Sequence, residues 1–370
     1  MYLTDKFYMT HAIKLAKLGI FTTTPNPNVG CIIVNNKKIV GKGYHFKKGE
    51  PHAEINALKM AGKYAKGSTV YVTLEPCNYF NLTPSCCQAL IEAGVYRVVV
   101  ATNDPNPKVN GKGLKLLIKS GIKITNNILS SETKKINYGF FKRMNTGYPW
   151  IQLKLASSLD GKIGLVNGLS KWISSQDSRK DVQILRAKSS AILSTSKTIL
   201  NDNSILLVKW DELNKNIKKI YPKKFLRQPI RIILDRFNKI KSTNQIILSP
   251  GKIFLVKLKH TSEQWPSYVK EVIIPEMDGY FNLKYLFKFL GKKGINNLLI
   301  EAGSTLSGSL ITYKLIDELI LYLSPKLLGN IALNLCNIKK FTKISEVPKF
   351  SFKNIKKIGL DLRLILKLIK

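Results

Sequence analysis

The sequence predicts an α/β protein built as two domains, and three observations carry that prediction. At 370 residues the chain exceeds the roughly 150 residues of a typical single domain. Its balance of 44% apolar and 22% charged residues is that of a globular protein able to bury a sizeable core. Short β-branched runs alternate with helical patterns in two successive series, as in an α/β layer with a mostly parallel sheet. The division falls between a first domain of residues 1–147 and a second of residues 148–370.

In the first series, Phe7, His11, Leu15 and Leu18 recur at helical spacing with Ala12 and Ala16 beside them, so the chain opens on an amphipathic helix. After the polar loop TTTPNPNVG, the runs CIIV (31–34) and IVGKGY (39–44) read as two strands around a tight Asn35-Asn36 turn. A helix over about 53–62, a strand TVYVTL (69–74), a helix over about 86–93 and a strand RVVVA (97–101) follow. That unit ends near Ser130, and residues 132–149 read as a helix and linker. The second series comprises IQLKLA (151–156), AILST, IRIILD (230–235), KIFLV, EVIIP, NLLIE (297–301), ELILYL (318–323) and the terminal LRLILKLI, several separated by helical patterns.

Sixty Lys and Arg against 23 Asp and Glu give a formal charge of +37, which taken alone points to nucleic acid or an anionic membrane. The composition argues otherwise. Only eight of the cations are arginine, Asn and Ile are abundant alongside the lysines, and all three have AT-rich codons. The charge is also spread, +14 up to Tyr148 and +23 beyond it, and no aromatics interleave with a basic stripe. A solvated lysine surface with an anionic small-molecule substrate accounts for it. Five cysteines scattered over a long chain argue against a disulfide framework and for a reducing cytoplasm. The N-terminus lacks a secretory apolar core, and no apolar run approaches the roughly 18–20 residues that span a bilayer. The expectation is a cytoplasmic protein with no membrane role and no nucleic-acid partner.

The sharpest chemical signal is Pro51-His52-Ala53-Glu54 followed by Pro76-Cys77 and then Cys86. One His and two Cys make a three-ligand zinc site with an open fourth position, the pattern of a catalytic rather than a structural metal. His52 and Glu54 fall where a helix should start, and Cys86 opens another, where the helix dipole favours a thiolate. Zinc so held lowers the pKa of water to about 7. Glu54, two residues from a ligand, is placed to carry a proton from that water to a leaving amine. Nucleic-acid and nucleoside deaminases of the His-x-Glu and Pro-Cys-x-x-Cys pattern close the site after two residues. Here eight lie between Cys77 and Cys86, which stands against the rival reading, suggested by the +37 charge, of a nucleic-acid-binding editing deaminase; Cys87, a competing ligand, is read as helix packing.

The segments TPNPNVGCIIV, GYHFKKGEPHAEINAL, YVTLEPC, NDPNPKVNGKG and KLASSLDGK resemble the bifunctional riboflavin-biosynthesis deaminase/reductase family over nearly the whole chain. The resemblance implies an N-terminal cytidine-deaminase-like three-layer domain and a C-terminal dihydrofolate-reductase-like domain. It further implies zinc and NADPH as cofactors, with deamination of 2,5-diamino-6-ribosylamino-4(3H)-pyrimidinone 5′-phosphate followed by reduction of the ribosyl group to ribityl. By its motifs, His52, Cys77 and Cys86 hold zinc, Glu54 shuttles the proton, and Asn26 and His45 contact substrate. Ala156, Trp172, Thr198, Asp202 and the turn Gly303, Ser304, Thr305, Leu306, Ser307, Gly308 and Ser309 contact NADPH. Lys154, Ser170, Arg186, Leu206, Lys209 and Glu301 contact the substrate of the reductase.

Bottom-up, the small-residue turn after NLLIE is a reasonable phosphate cradle or a site of close packing, and Arg186 could meet a phosphate. The chain also departs from the family. Where the family usually carries a His and a cation between the two thiolates, this chain has Tyr79 and Leu82. Losing a charge-assisted phosphate contact costs roughly 1.5 to 3 kcal/mol. Either the deaminase is impaired, leaving a reductase with a zinc-stabilised assembly module, or a lysine such as Lys47 or Lys48 replaces the cation. Lys209 stands where the family often has Arg, and Arg236 where it often has Ser, adding bulk near the expected cofactor site. Domains of both kinds commonly pair, so a homo-oligomer is expected.

Overall fold

A computed structural model describes residues 2–79 and 85–369 and divides after Tyr148 into two units. The first holds helices α1 (Tyr2–Ala16), α2 (Ala53–Ala61), α3 (Cys86–Glu92), α4 (Lys112–Lys119), α5 (Ser130–Ile136) and α6 (Tyr138–Thr146). Its strands are β1 (Gly30–Asn35), β2 (Lys38–Tyr44), β3 (Thr69–Val72), β4 (Arg97–Val100) and β5 (Lys123–Thr125), in the order β2-β1-β3-β4-β5. β1 runs antiparallel to both its neighbours, β2 and β3, so two of the four pairings are antiparallel, while β3–β4 and β4–β5 pair in parallel. The sheet is mixed rather than mostly parallel in its pairings, because β1 alone is reversed. The connection from β1 to β2 is a two-residue turn at Asn36 and Lys37, with φ of 47° and 61°, which can only return the chain antiparallel.

Strand alternation separates two apolar layers. Ile32, Val34, Tyr71 and Val99 meet Tyr8, Met9, Ala12 and Ile13 of α1 on one face. Cys31, Ile33, Val70, Val72, Val98 and Val100 meet Ala57, Leu90, Leu117 and Phe140 on the other. The result is three layers, helix–sheet–helix. Helix α1 buries a stripe offset from the expected one, for Phe7 is 57% exposed. The reason is close approach: a Cβ on Gly30 would lie 2.0 Å from the Ala12 carbonyl oxygen, so the side of the helix that carries Ala12 and Ala16, flanked by Met9 and Ile13, faces the sheet rather than the side that carries Phe7. Gly43 does the same for α2, since its Cβ would lie 2.1 Å from the Ala53 oxygen. The buried Asp5 locks α1 in place by accepting from Tyr71 Oη (3.0 Å) and from both terminal nitrogens of Arg97 (3.0 and 2.8 Å).

The second unit contains β6 (Trp150–Ser158), β7 (Lys162–Gly164), α7 (Gln176–Lys188), β8 (Ala191–Thr195), α8 (Ser196–Asp202), α9 (Lys215–Ile220), β9 (Ile230–Leu234), α10 (Gln245–Leu248), β10 (Ile253–Lys257) and β11 (Val269–Ile273). It continues with β12 (Glu276–Met277), β13 (Tyr280–Phe281), α11 (Leu283–Lys292), β14 (Asn297–Glu301), α12 (Ser304–Thr312), β15 (Glu318–Ser324), β16 (Leu333–Asn334), β17 (Phe350–Ile358) and β18 (Asp361–Leu368). Nine strands form one sheet in the order β11-β10-β9-β8-β14-β6-β15-β18-β17, parallel as far as β15 and antiparallel thereafter. In this unit the mostly parallel reading holds. The central β8 and β14 are adjacent and parallel, so the turns leading into α8 and α12 open side by side at their C-terminal ends, where open α/β sheets bind ligands.

Candidate active sites

In the first unit, two turns and two helix starts converge. His52 caps the N-terminus of α2 in an extended conformation, and Glu54 lies buried in its first turn. Cys86 is the first residue of α3, whose cap Ser85 accepts from the Gln88 amide at 3.1 Å. Among the described residues, His52 Nδ1 and the sulfurs of Cys77 and Cys86 are the group of potential metal ligands, all within 4.8 Å of one another. Nδ1 lies 3.2 Å from Cys86 Sγ and 3.6 Å from Cys77 Sγ. Donors bound to one tetrahedral zinc, at Zn–N and Zn–S distances of about 2.0 and 2.3 Å, stand about 3.5 Å apart, so this set fits the metal.

The electrostatics agree with that fit. Hydrogen bonds from Cys86 and then His52 hold the Cys77 thiol down to about 4, and the bond to Cys77 lifts His52 to about 9. Cys86, sharing its proton with Cys77 and buried, is pushed up instead. Two sulfurs competing for one proton form a place where a cation is preferred to a second proton. Burial raises the Glu54 carboxyl to about 7 despite the pull of His52, the range in which a carboxyl both accepts and releases protons at neutral pH.

Asn26 and His45 join this group. The His45 ring stands 5.3 Å from that of His52, its Nδ1 reaches the Pro51 oxygen (3.2 Å), and its Nε2 meets the Asn26 amide nitrogen (3.0 Å). With Nδ1 as the donor, Nε2 accepts from Asn26, and burial keeps the ring neutral by lowering its pKa. The loop bearing Asn26 is fixed by four bonds between Asn28 and the α5–α6 junction: Asn28 N to Asn137 Oδ1 (2.8 Å), Asn28 Nδ2 to Ile136 O (2.9 Å) and to Asn137 Oδ1 (3.2 Å), and Asn137 Nδ2 to Asn28 O (2.9 Å). What reads in the sequence as a helix and linker is thus part of the support for the site. Cys87 turns away from the donors, toward the carbonyls of Pro76 (3.4 Å) and Gly113 (3.6 Å), as core packing.

Two carboxylates near this His and Cys group escape the sequence reading. Glu75, buried, accepts four backbone N–H groups: Gly113 (3.0 Å) and Leu114 (3.4 Å) on Oε1, Gly111 (2.9 Å) and Asp104 (3.3 Å) on Oε2. It caps α4 from 36 residues away in sequence. Asp104 is also buried, and its carboxyl is pushed up to about 6 by burial and by Glu75 and Cys77. A carboxylate just before Pro76-Cys77 was the sole clue to Glu75, and no spacing rule points to it. Tyr79 is exposed, and Lys47 and Lys48 lie exposed on the turn between His45 and His52. Leu82 lies outside the described residues.

In the second unit, Arg186 of α7 and Glu301 at the end of β14 form a two-pronged pair, Nε–Oε1 2.7 Å and Nη2–Oε2 2.9 Å, while Nη1 donates to Leu207 O (3.1 Å). The idea of Arg186 as a phosphate contact is therefore weakened: its fork is already engaged. Lys154 on β6 pairs in register with Glu301 and lies over the Tyr322 ring, 5.8 Å from its centre. Ser170 Oγ donates to Asp202 Oδ1 (3.4 Å), and Lys171 Nζ to the Asp202 carbonyl (2.8 Å), bringing that loop to the end of α8. Trp172 is 61% exposed with the Arg179 guanidinium 4.3 Å from its ring centre. Ala156 packs with Val182, Ile320 and Tyr322.

Thr198, whose amide is capped by Thr195 Oγ1 (3.3 Å), lies beside Gly303: a Cβ there would stand 3.9 Å from Thr198 Oγ1. In α12, the first helical bond is Ser307 N to Gly303 O (3.2 Å), leaving the amides of Ser304, Thr305 and Leu306 ahead of it as the first-turn donors that suit a phosphate. Ser307 and Gly308 face inward, and a Cβ on Gly308 would lie 1.9 Å from the Asn337 oxygen, so that part of the turn serves packing. Ser309 Oγ donates to Thr305 O (3.1 Å) within the helix. Leu206 is buried among Ile192, Ile199 and Ile233 with φ of 52°, so only its backbone can reach a ligand. Lys209 pairs with Glu212 at 3.1 Å on the surface. The Arg236 guanidinium lies between the Phe237 and Tyr280 rings, 4.9 and 5.3 Å from their centres, which accounts for its added bulk.

Comparison with known proteins places both sites in a family. Residues 3–102 match the cytidine and deoxycytidylate deaminase zinc-binding region, and residues 149–364 match the RibD C-terminal domain. The chain is 49% identical over 357 residues to riboflavin biosynthesis protein RibD of Escherichia coli (strain K12), covering 96% of this chain and 97% of that protein. It is 63% identical over 145 residues to the diaminohydroxyphosphoribosylamino-pyrimidine deaminase of Buchnera aphidicola subsp. Schizaphis graminum, covering 39% of this chain and 99% of that protein. The solved structure of Acinetobacter baumannii RibD, form 1, is 38% identical and covers 100% of both chains with a TM-score of 0.92. The three-layer first unit is cytidine-deaminase-like and the second is the reductase domain, and neither the reductase-only nor the nucleic-acid-editing reading is favoured. This chain belongs to the riboflavin biosynthesis protein RibD family, bifunctional enzymes that join a zinc-binding deaminase domain to an NADPH-dependent reductase domain.

Proposed function

We propose that residues 1–147 deaminate 2,5-diamino-6-ribosylamino-4(3H)-pyrimidinone 5′-phosphate and that residues 148–370 reduce the ribosyl group of the product to ribityl phosphate. The observation that carries the reading is the convergence of His52 Nδ1, Cys77 Sγ and Cys86 Sγ within 4.8 Å, with a buried Glu54 beside them. Zinc held by those three donors supplies a Lewis acid that makes water nucleophilic at neutral pH. Glu54 takes the proton released as water attacks the amine-bearing ring carbon and delivers it to the departing ammonia. Its carboxyl, raised to about 7 by burial, suits both transfers. Asn26, whose amide nitrogen is committed to His45, offers its carbonyl oxygen to a substrate amino group. Lys47 and Lys48, exposed between His45 and His52, are the cations nearest in sequence to take over the phosphate contact that Tyr79 and Leu82 do not supply.

In the second domain NADPH supplies the hydride. Ala156, Trp172, Thr198, Asp202 and the turn from Gly303 to Ser309 would hold it, supported by the first-turn amides of α12 beside Thr198. Lys154, Ser170, Arg186, Leu206, Lys209 and Glu301 would hold substrate, with the Arg186–Glu301 pair as the rigid wall of that cleft. Among the described residues no helix is long and apolar enough to cross a membrane, and the five cysteines are free, which supports a reducing cytoplasm. A homo-oligomer is part of the reading, supported by the nine-residue edge strand β17 with Phe352 and Ile355 exposed. The test is mass spectrometry of zinc-loaded protein with the diaminopyrimidinone phosphate. Deaminated product without NADPH and ribityl product with it are expected; an untouched substrate alongside reduction of the synthetic deaminated compound would overturn the deaminase half.

A further inference from the structure

The chain has four tryptophans, and one is set apart. Three are partly buried and spend their ring N–H inside the protein: Trp150 on Glu318 Oε2 (3.4 Å), Trp210 on the Tyr221 carbonyl (2.7 Å) and Trp265 on Glu271 Oε1 (2.9 Å). Trp172 is 61% exposed and, among the described residues, its ring N–H has no acceptor. Leaving an indole in water forfeits the burial that usually stabilises it. Yet this one is not loose. Its carbonyl accepts from Lys326 Nζ (2.8 Å), the preceding Lys171 donates to the Asp202 carbonyl (2.8 Å), and Ser175 N donates to Asp361 Oδ2 (2.7 Å), so the backbone is tied down on both sides. The ring is held separately: the Arg179 guanidinium, itself anchored by Nη1 on the Ser174 carbonyl (2.8 Å), lies 4.3 Å from the ring centre. At that distance a guanidinium stacks on an aromatic face. An exposed indole fixed in this way suits a planar ligand.

We infer that Arg179 is a positioning residue for the cofactor: it fixes the Trp172 indole as a stacking platform for a planar ring of NADPH. The inference rests on the reading of Trp172 as a cofactor contact. The neighbours fit that occupant. Asp202, which Ser170 Oγ (3.4 Å) and Lys171 bond, ends α8, and the first turn of α8 carries Thr198 beside Gly303 and the first-turn amides of α12. One short helix thus links the indole to the turn that suits the cofactor's phosphates. The guanidinium acts through order as well as through charge. An indole able to turn about its two side-chain torsions would have to be ordered each time the cofactor binds, and the stacked guanidinium removes that cost beforehand. It does so from the face of the ring that it covers, leaving the exposed remainder for the ligand. Arg179 therefore acts through Trp172 and not on the cofactor itself, unlike a phosphate-binding arginine.

The experiment measures NADPH binding by the full chain without substrate, from the fluorescence of the dihydronicotinamide, so that no turnover enters. Arg179→Gln should weaken binding by about two- to thirtyfold, the range from an exposed to a desolvated cation–π contact, and Arg179→Lys should recover part of the loss. In a Trp172→Ala background, Arg179→Gln should change the affinity by less than about twofold, since the two side chains act as one unit. Fluorine NMR of protein carrying 5-fluorotryptophan reads the ring directly. The resonance lost in Trp172→Phe should narrow in Arg179→Gln and move toward the position of a freely turning indole, while those of Trp150, Trp210 and Trp265 stay in place and show that the variant is folded. Unchanged affinity in Arg179→Gln, or an equal loss with and without Trp172, overturns the inference. A Trp172→Ala variant that binds NADPH as tightly as wild type overturns instead the reading of Trp172 as a cofactor contact.

Discussion

Replacing Glu75 by Gln should detach the α4 cap from the loop that carries Cys77, while leaving the reductase domain intact. The carboxylate accepts four amides, two on each oxygen, and glutamine offers only one accepting oxygen, so two N–H groups lose their partner whichever way the amide turns. An unsatisfied buried donor costs about 1–3 kcal/mol. Because each oxygen holds one short and one long bond, the sum comes to about 3 kcal/mol, roughly a hundredfold or more in the local opening equilibrium. The lever arm is short, for a Cβ on Gly113 would sit 2.2 Å from the Pro76 oxygen, one residue before the first thiolate. Hydrogen exchange by mass spectrometry reads the effect directly: peptides covering residues 104–114 should exchange about a hundredfold faster. All four tryptophans lie beyond Tyr148, so the tryptophan fluorescence unfolding curve serves as the internal control and should not move. Unchanged protection at Gly111 and Gly113 would refute the capping account.

Four further outcomes are expected. Glu54→Gln should keep zinc, measured by metal analysis, but lose about 10²- to 10⁴-fold in ammonia release, the usual range for a proton shuttle; retained turnover would remove Glu54 from that role. Replacing Lys47 and Lys48 together by alanine should raise KM for the deaminase substrate by about tenfold, with reductase KM unchanged, as one charge-assisted contact requires. Gly43→Ala should push the start of α2, and with it His52, away from the thiolates, seen as reduced zinc content in a chain whose tryptophan fluorescence is unaltered. For Glu271, burial opposes ionisation, but bonds from Lys257 (2.6 Å), Thr261, His260 and Trp265 hold its carboxyl well below the usual range. A depressed folded pKa means its stabilisation is present above the unfolded value, about 4.3, and is lost as pH falls below it. Urea unfolding of the second unit, followed by tryptophan fluorescence, should weaken as acid is added from about pH 4 downward, and Glu271→Gln should flatten that slope.

The cluster of His52, Cys77 and Cys86 beside a buried Glu54 was legible because its chemistry leaves marks in sequence: a His-x-Glu at a helix start, Pro-Cys, and a second Cys at another helix start. The strands of the second unit were legible as apolar β-branched runs, because a parallel sheet covered on both faces needs them. β17 was not. FSFKNIKKI sits at a sheet edge with most residues exposed, so it carries neither alternation nor an apolar run. Helix α4 was missed for a related reason: its N-cap is Gly111, which has no side chain to mark it, and the capping group is Glu75.

By itself, then, the sequence determined the two α/β halves, the candidate metal-binding group and the kind of reaction, since residue type limits what can bind zinc or move a proton. Only the tertiary structure decided which charges remain available. It gave Arg97 to Asp5 in the first unit and Arg186 to Glu301 in the second. It also fixed which face of α1 is buried, because the close approach at Gly30 brings the Ala12 side of the helix onto the sheet. Such pairings join residues from 92 to 115 positions apart in the chain, and what selects them is strand order and register, which no local pattern encodes.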